Sequence, residues 1–252
     1  MKKIFLMTVT IISLAAVSCK KDKDNMPAPG NNSKLLTKMT KTEGSVTTVY
    51  NFVYDGNKRL TSFKSTDNKT GVIFTYDGNN LVKVEDNEDD FKNIYTYTYT
   101  NGKPVSGTFK SWQKTAGEPD DLIEDDVLSY TITNEKVSTI HVQFLLAGND
   151  ATDFGLQYGN DGNLAKVSTN SGYTASFIYG NKKPVFPIVS NYILDQAGFS
   201  LQFAAKNEMK EINFDFPGDQ FDEHVINQYT YDSNGYVLTS TDGTNHIVYE
   251  YQ

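Results

Sequence analysis

Few residues in this chain have the types and spacing that catalysis or metal binding requires. Its three histidines, His141, His224 and His246, lie far apart and share no ligand spacing, so the sequence predicts no metal site and no cofactor. Asp222-Glu223-His224 is a tight acid and imidazole group, and its position after a Pro-Gly pair predicts a polar loop. The sequence contains no P-loop, Gly-x-Ser-x-Gly or His-Glu-x-x-His motif. These observations predict a protein that is not an enzyme.

Two acidic runs, residues 85–90 and 120–126, could gather oxygen ligands around calcium. Neither follows the Asp-x-Asp-x-Asn-Gly order of a calcium loop, so the sequence favours solvated hairpin loops for both. A carboxylate pair suited to glycoside hydrolysis stays open at this stage, because the fold alone sets the separation of two carboxyl groups. An enzyme acting on glycans is therefore kept as an alternative.

A different chemistry is indicated at Cys19, the only cysteine in the chain. Lys2 and Lys3 precede an apolar run from Ile4 to Ala16, and small residues lead from that run to the thiol, an order typical of an exported precursor. Thirteen residues at about 1.5 Å each extend roughly 20 Å, which is shorter than the ~30 Å hydrocarbon core. The order resembles a bacterial lipoprotein signal, which implies that Cys19 is acylated and that residues 1–18 are removed.

Residues 19–33 are predicted to form a flexible polar leash, because Lys, Asp, Asn, Pro and Gly dominate them. A single all-β domain is predicted for residues 34–252, held beside a membrane by the acyl chains on Cys19. The resemblance to lipoprotein signals implies the outer membrane, because Lys20 stands where an aspartate would signal retention at the inner membrane. The periplasmic face and the cell surface both stay open as locations.

The composition excludes some partners and indicates strands. The chain carries 31 acidic and 23 basic residues, a formal charge of −8. Because a negatively charged protein repels phosphate backbones, this composition predicts no nucleic-acid partner. With Cys19 acylated, no internal disulfide can form, and stability must come from burial and strand pairing. Aromatic residues make up 13% of the chain. Short runs of Tyr, Thr, Val, Phe and Ile bounded by Asn, Asp and Gly favour strands.

The clearest pattern in the sequence is a repeat. Residues 52–60 return as residues 74–81, with a shift of 22 residues at the tyrosine, and weaker copies follow. Each clean copy carries an Asp-Gly pair after alternating apolar residues, which predicts two strands joined by a tight turn. Because side chains alternate along a strand, one face collects the aromatic residues. The predicted pairs on that face are Phe52/Tyr54, Phe74/Tyr76, Tyr97/Tyr99, Leu156/Tyr158, Phe177/Tyr179, Tyr229/Tyr231 and Tyr249/Tyr251.

These hairpins predict an all-β fold, a consecutive antiparallel meander of about a dozen or more strands. A flat sheet that wide would expose two edges, and such sheets usually curl, split or close. We therefore predict a rolled or barrel-like sheet with its aromatic face inward. A membrane-spanning barrel shares this alternation, but the tyrosine hydroxyls on one face and the polar residues on the other argue against it.

Two resemblances to known proteins rest on these residues. Residues 54–61 match the Tyr-Asp-x-x-x-Arg-Leu-Thr pattern of the tyrosine-aspartate repeats in Rhs-type shell proteins. The match covers two clean units, so the closed chamber of those shells is not implied. The combination of signal, leash and Tyr-rich hairpins resembles a family of uncharacterised Bacteroidota lipoproteins with a porin-like β-meander. That resemblance implies the fold and the lipid anchor, and it implies no activity.

Trp112 is the candidate ligand contact, because it stands outside the aromatic positions of the repeat in a stretch, residues 111–117, that is predicted to form a loop. Together the observations predict a membrane-tethered, non-enzymatic binding or scaffold protein of the cell envelope that uses its loops for contact. The candidate partners are a glycan or an envelope protein. A structural lipoprotein that pairs its sheet edge with a protein partner is the alternative to a ligand-binding module.

Overall fold

The computed structural model describes residues 34–196, 198–218 and 221–252. It contains seventeen β-strands and two short 3₁₀ helices, and none of the helices in these ranges is long and apolar enough to cross a membrane. Cys19, the predicted signal at residues 1–18 and the predicted leash at residues 19–33 lie outside the described residues. The lipid anchor and its boundaries therefore stay predictions.

Most of the strands follow one another through short turns. In chain order they are β1 (Leu36–Glu43), β2 (Val46–Tyr54), β3 (Leu60–Ser65), β4 (Gly71–Asp77), β5 (Asn80–Asn87), β6 (Phe91–Thr100), β7 (Lys103–Gln113), β8 (Asp121–Thr133), β9 (Lys136–Phe144), β10 (Asp150–Tyr158), β11 (Leu164–Thr169), β12 (Thr174–Tyr179), β13 (Met209–Asp215), β14 (Glu223–Ile226), β15 (Gln228–Tyr231), β16 (Val237–Thr241) and β17 (Asn245–Tyr251). The 3₁₀ helices cover Leu145–Ala147 and Phe199–Phe203.

Strand pairing is antiparallel and follows chain order among the described strands, except that no pairing joins β14 to β15. β17 also pairs with β1, so that Met39 opposes Tyr249 and the strands form one nearly closed sheet. β14 and β15 are two parts of one segment separated by Asn227: β14 pairs with β13, and β15 pairs with β16. The predicted all-β meander and its rolled, barrel-like form are confirmed. Pairing of the first strand with the last removes the two edges that a flat meander would expose.

The predicted alternation is confirmed at all seven aromatic pairs. Phe52 and Phe74 are buried, at 7% and 3% exposure, whereas Val53 between Phe52 and Tyr54 is 53% exposed. The residues at the centre of the seven pairs are all exposed: Val53, Thr75, Thr98, Gln157, Ile178, Thr230 and Glu250. The period of two along each strand therefore separates a buried aromatic face from a largely polar outer face.

The aspartate of the repeat shapes its own turn. Asp55 Oδ1 accepts from the backbone N–H groups of Asn57 and Arg59, at 2.8 and 2.9 Å. Asp55 Oδ2 accepts from Arg59 Nε at 2.8 Å. Lys58, between these donors, has a φ of 62°, which the hydrogen-bonded turn holds in the left-handed region. The same arrangement recurs at Asp232, so this aspartate is a turn residue rather than a free carboxylate.

The tyrosines of the repeat fasten one strand to the start of an earlier one. The Tyr54 hydroxyl donates to the Leu36 carbonyl oxygen at 2.8 Å, and the Tyr76 hydroxyl donates to the Leu60 carbonyl oxygen at 2.8 Å. Leu36 and Leu60 are the first residues of β1 and β3. Burial raises the pKa of Tyr54 to about 12, so its hydroxyl keeps its proton and donates throughout the physiological range.

Tyr54→Phe is expected to lower the free energy of unfolding by about 1 kcal/mol, because the Leu36 carbonyl loses its donor. Tyr251→Phe is the matched control: its hydroxyl is buried without a hydrogen-bond partner, so its removal is expected to be neutral or stabilising. Urea unfolding of both variants measures the difference. Equal losses in the two variants would show that the hydrogen bond adds nothing beyond packing of the ring.

The interior of the sheet is filled by the chain itself. Residues 180–196 and 198–208, between β12 and β13, are called the interior segment here. Phe203 is 1% exposed and lies between Phe63 and Phe74, with ring centroids 6.0 and 5.1 Å away. Phe199 packs on Tyr95 at 5.7 Å, and the Tyr130 hydroxyl donates to a carbonyl oxygen of the segment at 2.7 Å. Aromatic side chains from several strands thus enclose this segment, and the sheet is a packed support.

Hairpin turns alternate between the two ends of the sheet. The Lys34 end carries the start of the described chain, the turns 55–59, 78–79, 101–102, 134–135, 159–163 and 232–236, and both ends of the interior segment. The Glu88 end carries the turns 44–45, 66–70, 88–90, 114–120, 145–149, 170–173 and 242–244, and the connection around residues 216–218 and 221–222. Candidate sites lie at both ends.

Candidate functional site

A row of polar side chains crosses four neighbouring strands at the Glu88 end. Asp86 pairs in register with Asn93, Asn93 with Ser111, and Ser111 with Glu124. The Ser111 hydroxyl donates to Asn93 Oδ1 at 2.7 Å, and Asn93 Nδ2 donates to Asp86 Oδ2 at 3.4 Å. Asp86, Asn93 and Ser111 are buried, so this polar row faces the interior.

Asp126 extends the row along β8. It lies two residues after Glu124 on the same face, and 1% of its surface is exposed. Its Oδ2 is buried without a hydrogen-bond partner. Burial, followed by the charge of Glu124, raises the pKa of Asp126, and burial raises the pKa of Glu124. The two raised pKa values favour one proton shared by Asp126 and Glu124, because a protonated carboxyl group donates to an ionised one.

Burial raises the pKa of two further carboxyl groups at this end of the sheet. Burial, followed by the charge of Glu88, raises the pKa of Asp86 to about 7, and burial raises the pKa of Glu88 itself. Lys114 is the nearby cation, and its Nζ donates to the Glu88 carbonyl oxygen and to Asn87 Oδ1, the latter at 3.2 Å. Across the described ranges, no group of three or more His, Cys, Asp or Glu side chains is placed to hold a metal ion. What the cluster shows is a set of buried carboxyl groups with raised pKa values.

The predicted hairpin loops for the two acidic runs are wrong in part: residues 88–90 and Asp120 lie in turns, whereas residues 85–87 and 121–126 lie in strands. Asp86 lies in β5 and Asp126 in β8, and both point inward. Alternation along the strands indicates this inward position. Asp86 lies two residues from the buried Val84, and Asp126 lies two residues from the buried Leu128, so each acid shares a face with a buried residue. The acidic composition of the two runs favoured an exposed position instead, because acidic side chains are usually solvated.

The predicted polar loop at residues 222–224 is also wrong in part, because Glu223 and His224 belong to β14. His224 Nε2 lies 3.4 Å from Glu211 Oε2 on the exposed outer face. His141 Nδ1 lies 2.8 Å from Asp153 Oδ1, again on exposed side chains. Each of these histidines thus has a single carboxylate neighbour across a strand pair, an arrangement typical of surface ion pairs.

Trp112 lies in β7 near the Glu88 end, so the loop predicted at this residue is wrong. It is half-buried and pairs in register with Lys92, whose Nζ lies 5.5 Å from the centre of the indole ring. Lys92 alternates with the buried Asn93, which places the Lys92–Trp112 pair on the outer face. Contact of Trp112 with a ligand stays a prediction.

A concave site that the sequence did not indicate lies at the Lys34 end. It is a cleft of 210 Å³ between the turns at 78–79 and 101–102 and the interior segment. Its lining is Asn79, Asn80, Leu81, Tyr99, Gly102, Ser190, Asn191 and Tyr192. The strands supply one wall and the interior segment supplies the other. Because these parts are far apart in sequence, no local motif could reveal the cleft.

The chemistry of the cleft suits a neutral polar ligand. Its lining carries amide, hydroxyl and phenol groups and no charged side chain. Burial, with a smaller contribution from Tyr192, raises the pKa of Tyr99, so its hydroxyl stays a donor at neutral pH. The Ser190 hydroxyl accepts from the Tyr192 backbone N–H at 3.0 Å, which fixes the approach of the interior segment. Aromatic faces and directional polar groups together are the usual means of orienting a small ligand.

The comparisons with known proteins match solved structures only. No protein-family model and no curated protein matches the chain. A porin-like protein from Bacteroides vulgatus is 10% identical with a TM-score of 0.46, and the match covers 87% of this chain and 99% of that one. A porin-like protein from Bacteroides uniformis is 17% identical with a TM-score of 0.47, covering 86% and 98%. Similarity at this level carries no argument about function, and the resemblances to lipoproteins and to tyrosine-aspartate repeats stay predictions.

Proposed function

We propose that this chain is a lipid-tethered, non-enzymatic binding module of the cell envelope. The observation that carries the proposal is the uncharged cleft of Tyr99, Tyr192 and three asparagines, which two turns and the interior segment hold in place. Its volume of 210 Å³ suits one ring of a polar ligand better than a drug-sized molecule. A neutral sugar ring has the apolar faces and hydroxyl groups that tyrosines and asparagines contact.

The filled interior supports a binding role over transport. Phe199 and Phe203 pack against the inner face of the sheet, so side chains of the interior segment occupy space that a channel would need. Outward residues such as Thr98, Gln157 and Glu250 are suited to water. The proposed location is the outer membrane, on its periplasmic face or at the cell surface, with Cys19 as the point of lipid attachment.

The position of the acidic cluster argues against a glycan-active enzyme. Asp86 and the cleft residue Asn80 belong to the same strand and are six residues apart, which corresponds to about 20 Å. The cluster is therefore out of reach of a ring bound in the cleft. A scaffold that recruits an envelope protein is the alternative, although pairing through a sheet edge loses support because β1 pairs with both β2 and β17.

A glycan array probed with the purified chain tests the proposal. Binding to at least one neutral glycan is expected, and Tyr192→Ala is expected to weaken it at least about tenfold, because a stacked aromatic contact and its hydroxyl are lost. Phe221→Ala at the Glu88 end, which removes an exposed ring, is the control and should leave binding unchanged.

Other outcomes would contradict parts of the proposal. Loss of binding in Trp112→Ala with retention in Tyr192→Ala would move the contact to the outer face. Absence of glycan binding together with one crosslinked envelope protein would favour the scaffold. Glycan cleavage that a single Asp or Glu substitution abolishes would show an enzyme.

A further inference from the structure

Charge is distributed unevenly between the two ends of the sheet. At the Glu88 end, the turns 66–70, 88–90, 114–120 and 242–244 with residues 216–218 and 221–222 carry eight acidic and two basic side chains. At the Lys34 end, Lys34, the turns and the interior segment together carry six of each among the described residues. Two of those acids, Asp195 and Glu208, are buried, whereas at the Glu88 end one of the eight, Asp242, is buried. The exposed balance is therefore acidic at one end and basic at the other.

Two lysines converge on one tyrosine where the described chain begins. The Nζ atoms of Lys183 and Lys34 lie 3.6 and 5.5 Å from the centre of the Tyr236 ring. The Lys34 backbone N–H donates to the Tyr236 hydroxyl at 2.8 Å. Lys34 is paired with Asp232, whereas Lys183 forms no ion pair within the described part of the chain. Lys182 is its neighbour in sequence, so positive charge collects around Tyr236.

A second pair of lysines converges on Gly162. Lys136 Nζ donates to the Gly162 carbonyl oxygen at 2.5 Å. The Nζ atoms of Lys206 and Lys136 lie 2.6 and 3.2 Å from the position that a Cβ on Gly162 would take. Burial and then repulsion from Lys206 lower the pKa of Lys136, while the nearby charge of Asp161 offsets part of this effect. An anion placed between them would relieve this repulsion.

We propose that the Lys34 end docks on an anionic lipid surface through Lys34, Lys136, Lys182, Lys183 and Lys206, with headgroup phosphates as the paired anions. Two observations select this occupant. Residues 20–33 lead from Cys19 to Lys34, the first described residue, so the proposed tether joins the sheet at this end. Ile188 is 48% exposed two residues before the cleft residue Ser190, and so adds an apolar contact at the same end.

The acidic end does not oppose this docking. The longest strand, β8, has thirteen residues and spans about 40 Å, whereas charges are screened over about 10 Å at 0.1 M salt. Each end therefore responds to the nearest surface, and the acidic end points away from the lipid. The inference rests on the proposed tether for its orientation, and the cleft then opens on the membrane side.

Vesicle cosedimentation of the unacylated Cys19→Ala chain tests the docking without the tether. The chain is expected to bind vesicles of equal parts phosphatidylglycerol and phosphatidylcholine, to bind pure phosphatidylcholine weakly, and to dissociate as salt is raised. The triple variant Lys182→Glu, Lys183→Glu, Lys206→Glu should lose at least about tenfold in binding. The matched control, Lys64→Glu, Lys69→Glu, Lys92→Glu, makes the same change in net charge away from the Lys34 end and should bind like the parent.

Orientation is measured by tryptophan quenching with brominated lipids. Trp112, the single tryptophan of the chain, lies near the Glu88 end and should stay unquenched on bound vesicles. Tryptophan placed by Ile188→Trp in a Trp112→Phe background should be quenched. Equal weakening by both triple variants, binding of neither vesicle type, or quenching of Trp112 would overturn the proposal.

A separate experiment in cells tests the lipid tether. In cells, Cys19→Ala is expected to release the protein from the membrane fraction at high salt, whereas the unaltered chain stays bound. Retention of the Cys19→Ala protein at high salt would refute the tether and leave the vesicle result unaffected. Loss of vesicle binding with an intact Cys19 effect would refute the docking alone.

Discussion

Replacing Asp126 with asparagine is expected to raise the free energy of unfolding at about pH 8 by roughly 2–4 kcal/mol, because the folded protein holds this carboxyl group protonated where the unfolded chain ionises it. The physical reason is burial: Asp126 is 1% exposed, and its Oδ2 has no hydrogen-bond partner. Ionisation there leaves a charge unsolvated beside Glu124. Asparagine keeps the shape, carries no charge, and can donate to the Glu124 carboxylate.

The same burial fixes the sign of the pH dependence in the unaltered protein. In the unfolded chain Asp86 titrates near its ordinary pKa of 3.8, whereas in the folded protein its pKa is about 7. Between these values the folded state holds a proton that the unfolded state has lost. This contribution to stability is complete below about pH 4 and falls by about 1.4 kcal/mol for each pH unit up to about 7. Asp126 and Glu124 act in the same direction.

Urea unfolding at several pH values between about 5 and 8 measures both effects. The gain in Asp126→Asn should grow with pH and be small near pH 5. Asp121→Asn is the matched control, since Asp121 is exposed in the same strand, and it should change stability by less than about 0.5 kcal/mol at every pH. A loss of stability in Asp126→Asn at pH 8 would mean that the ionised carboxylate is held by donors, and it would contradict the shared proton.

The sheet was predictable from sequence because its information is local. An Asp-Gly turn after Tyr54 and another after Tyr76 define hairpins within about 20 residues, and the period of two assigns each side chain to a face. The rolled, barrel-like form followed from the physical cost of two exposed edges. No part of this reasoning required contacts between distant parts of the chain.

The two candidate sites could not be predicted because they depend on distant contacts. The cleft forms only when Tyr192 of the interior segment meets Tyr99 of β6, and nothing in residues 180–208 repeats or alternates in a way that assigns a location. The inward position of the acidic cluster was not predicted for another reason. Asp126 alternates in step with the buried Leu128, which indicates an inward position, but the general rule that acids are solvated outweighed this pattern. The free-energy cost of burying Asp126 is lower when the carboxyl group keeps its proton.

Phe203→Ala is expected to lower the free energy of unfolding by about 3–5 kcal/mol, the range for a large aromatic side chain removed from a packed core. Phe203 is 1% exposed, and its ring centre lies 5.1 Å from Phe74, 5.2 Å from Phe186 and 5.1 Å from Phe199. It therefore joins both ends of the interior segment to the sheet. Its loss leaves a cavity whose walls belong to different strands, which relax only partially.

Phe203 is expected to differ from ordinary core residues because its loss should affect the whole interior segment. If the interior segment supports the sheet, Phe203→Ala should also speed proteolysis within residues 180–208 and weaken glycan binding, because Tyr192 in the cleft belongs to the same segment. Phe221→Ala removes the same side chain where it is 55% exposed and should cost less than about 0.5 kcal/mol. Urea unfolding, limited proteolysis and the glycan array read out the three effects. A loss below about 1 kcal/mol with unchanged proteolysis would show that the strands stand without the interior segment, since a supporting core ring cannot be removed so cheaply.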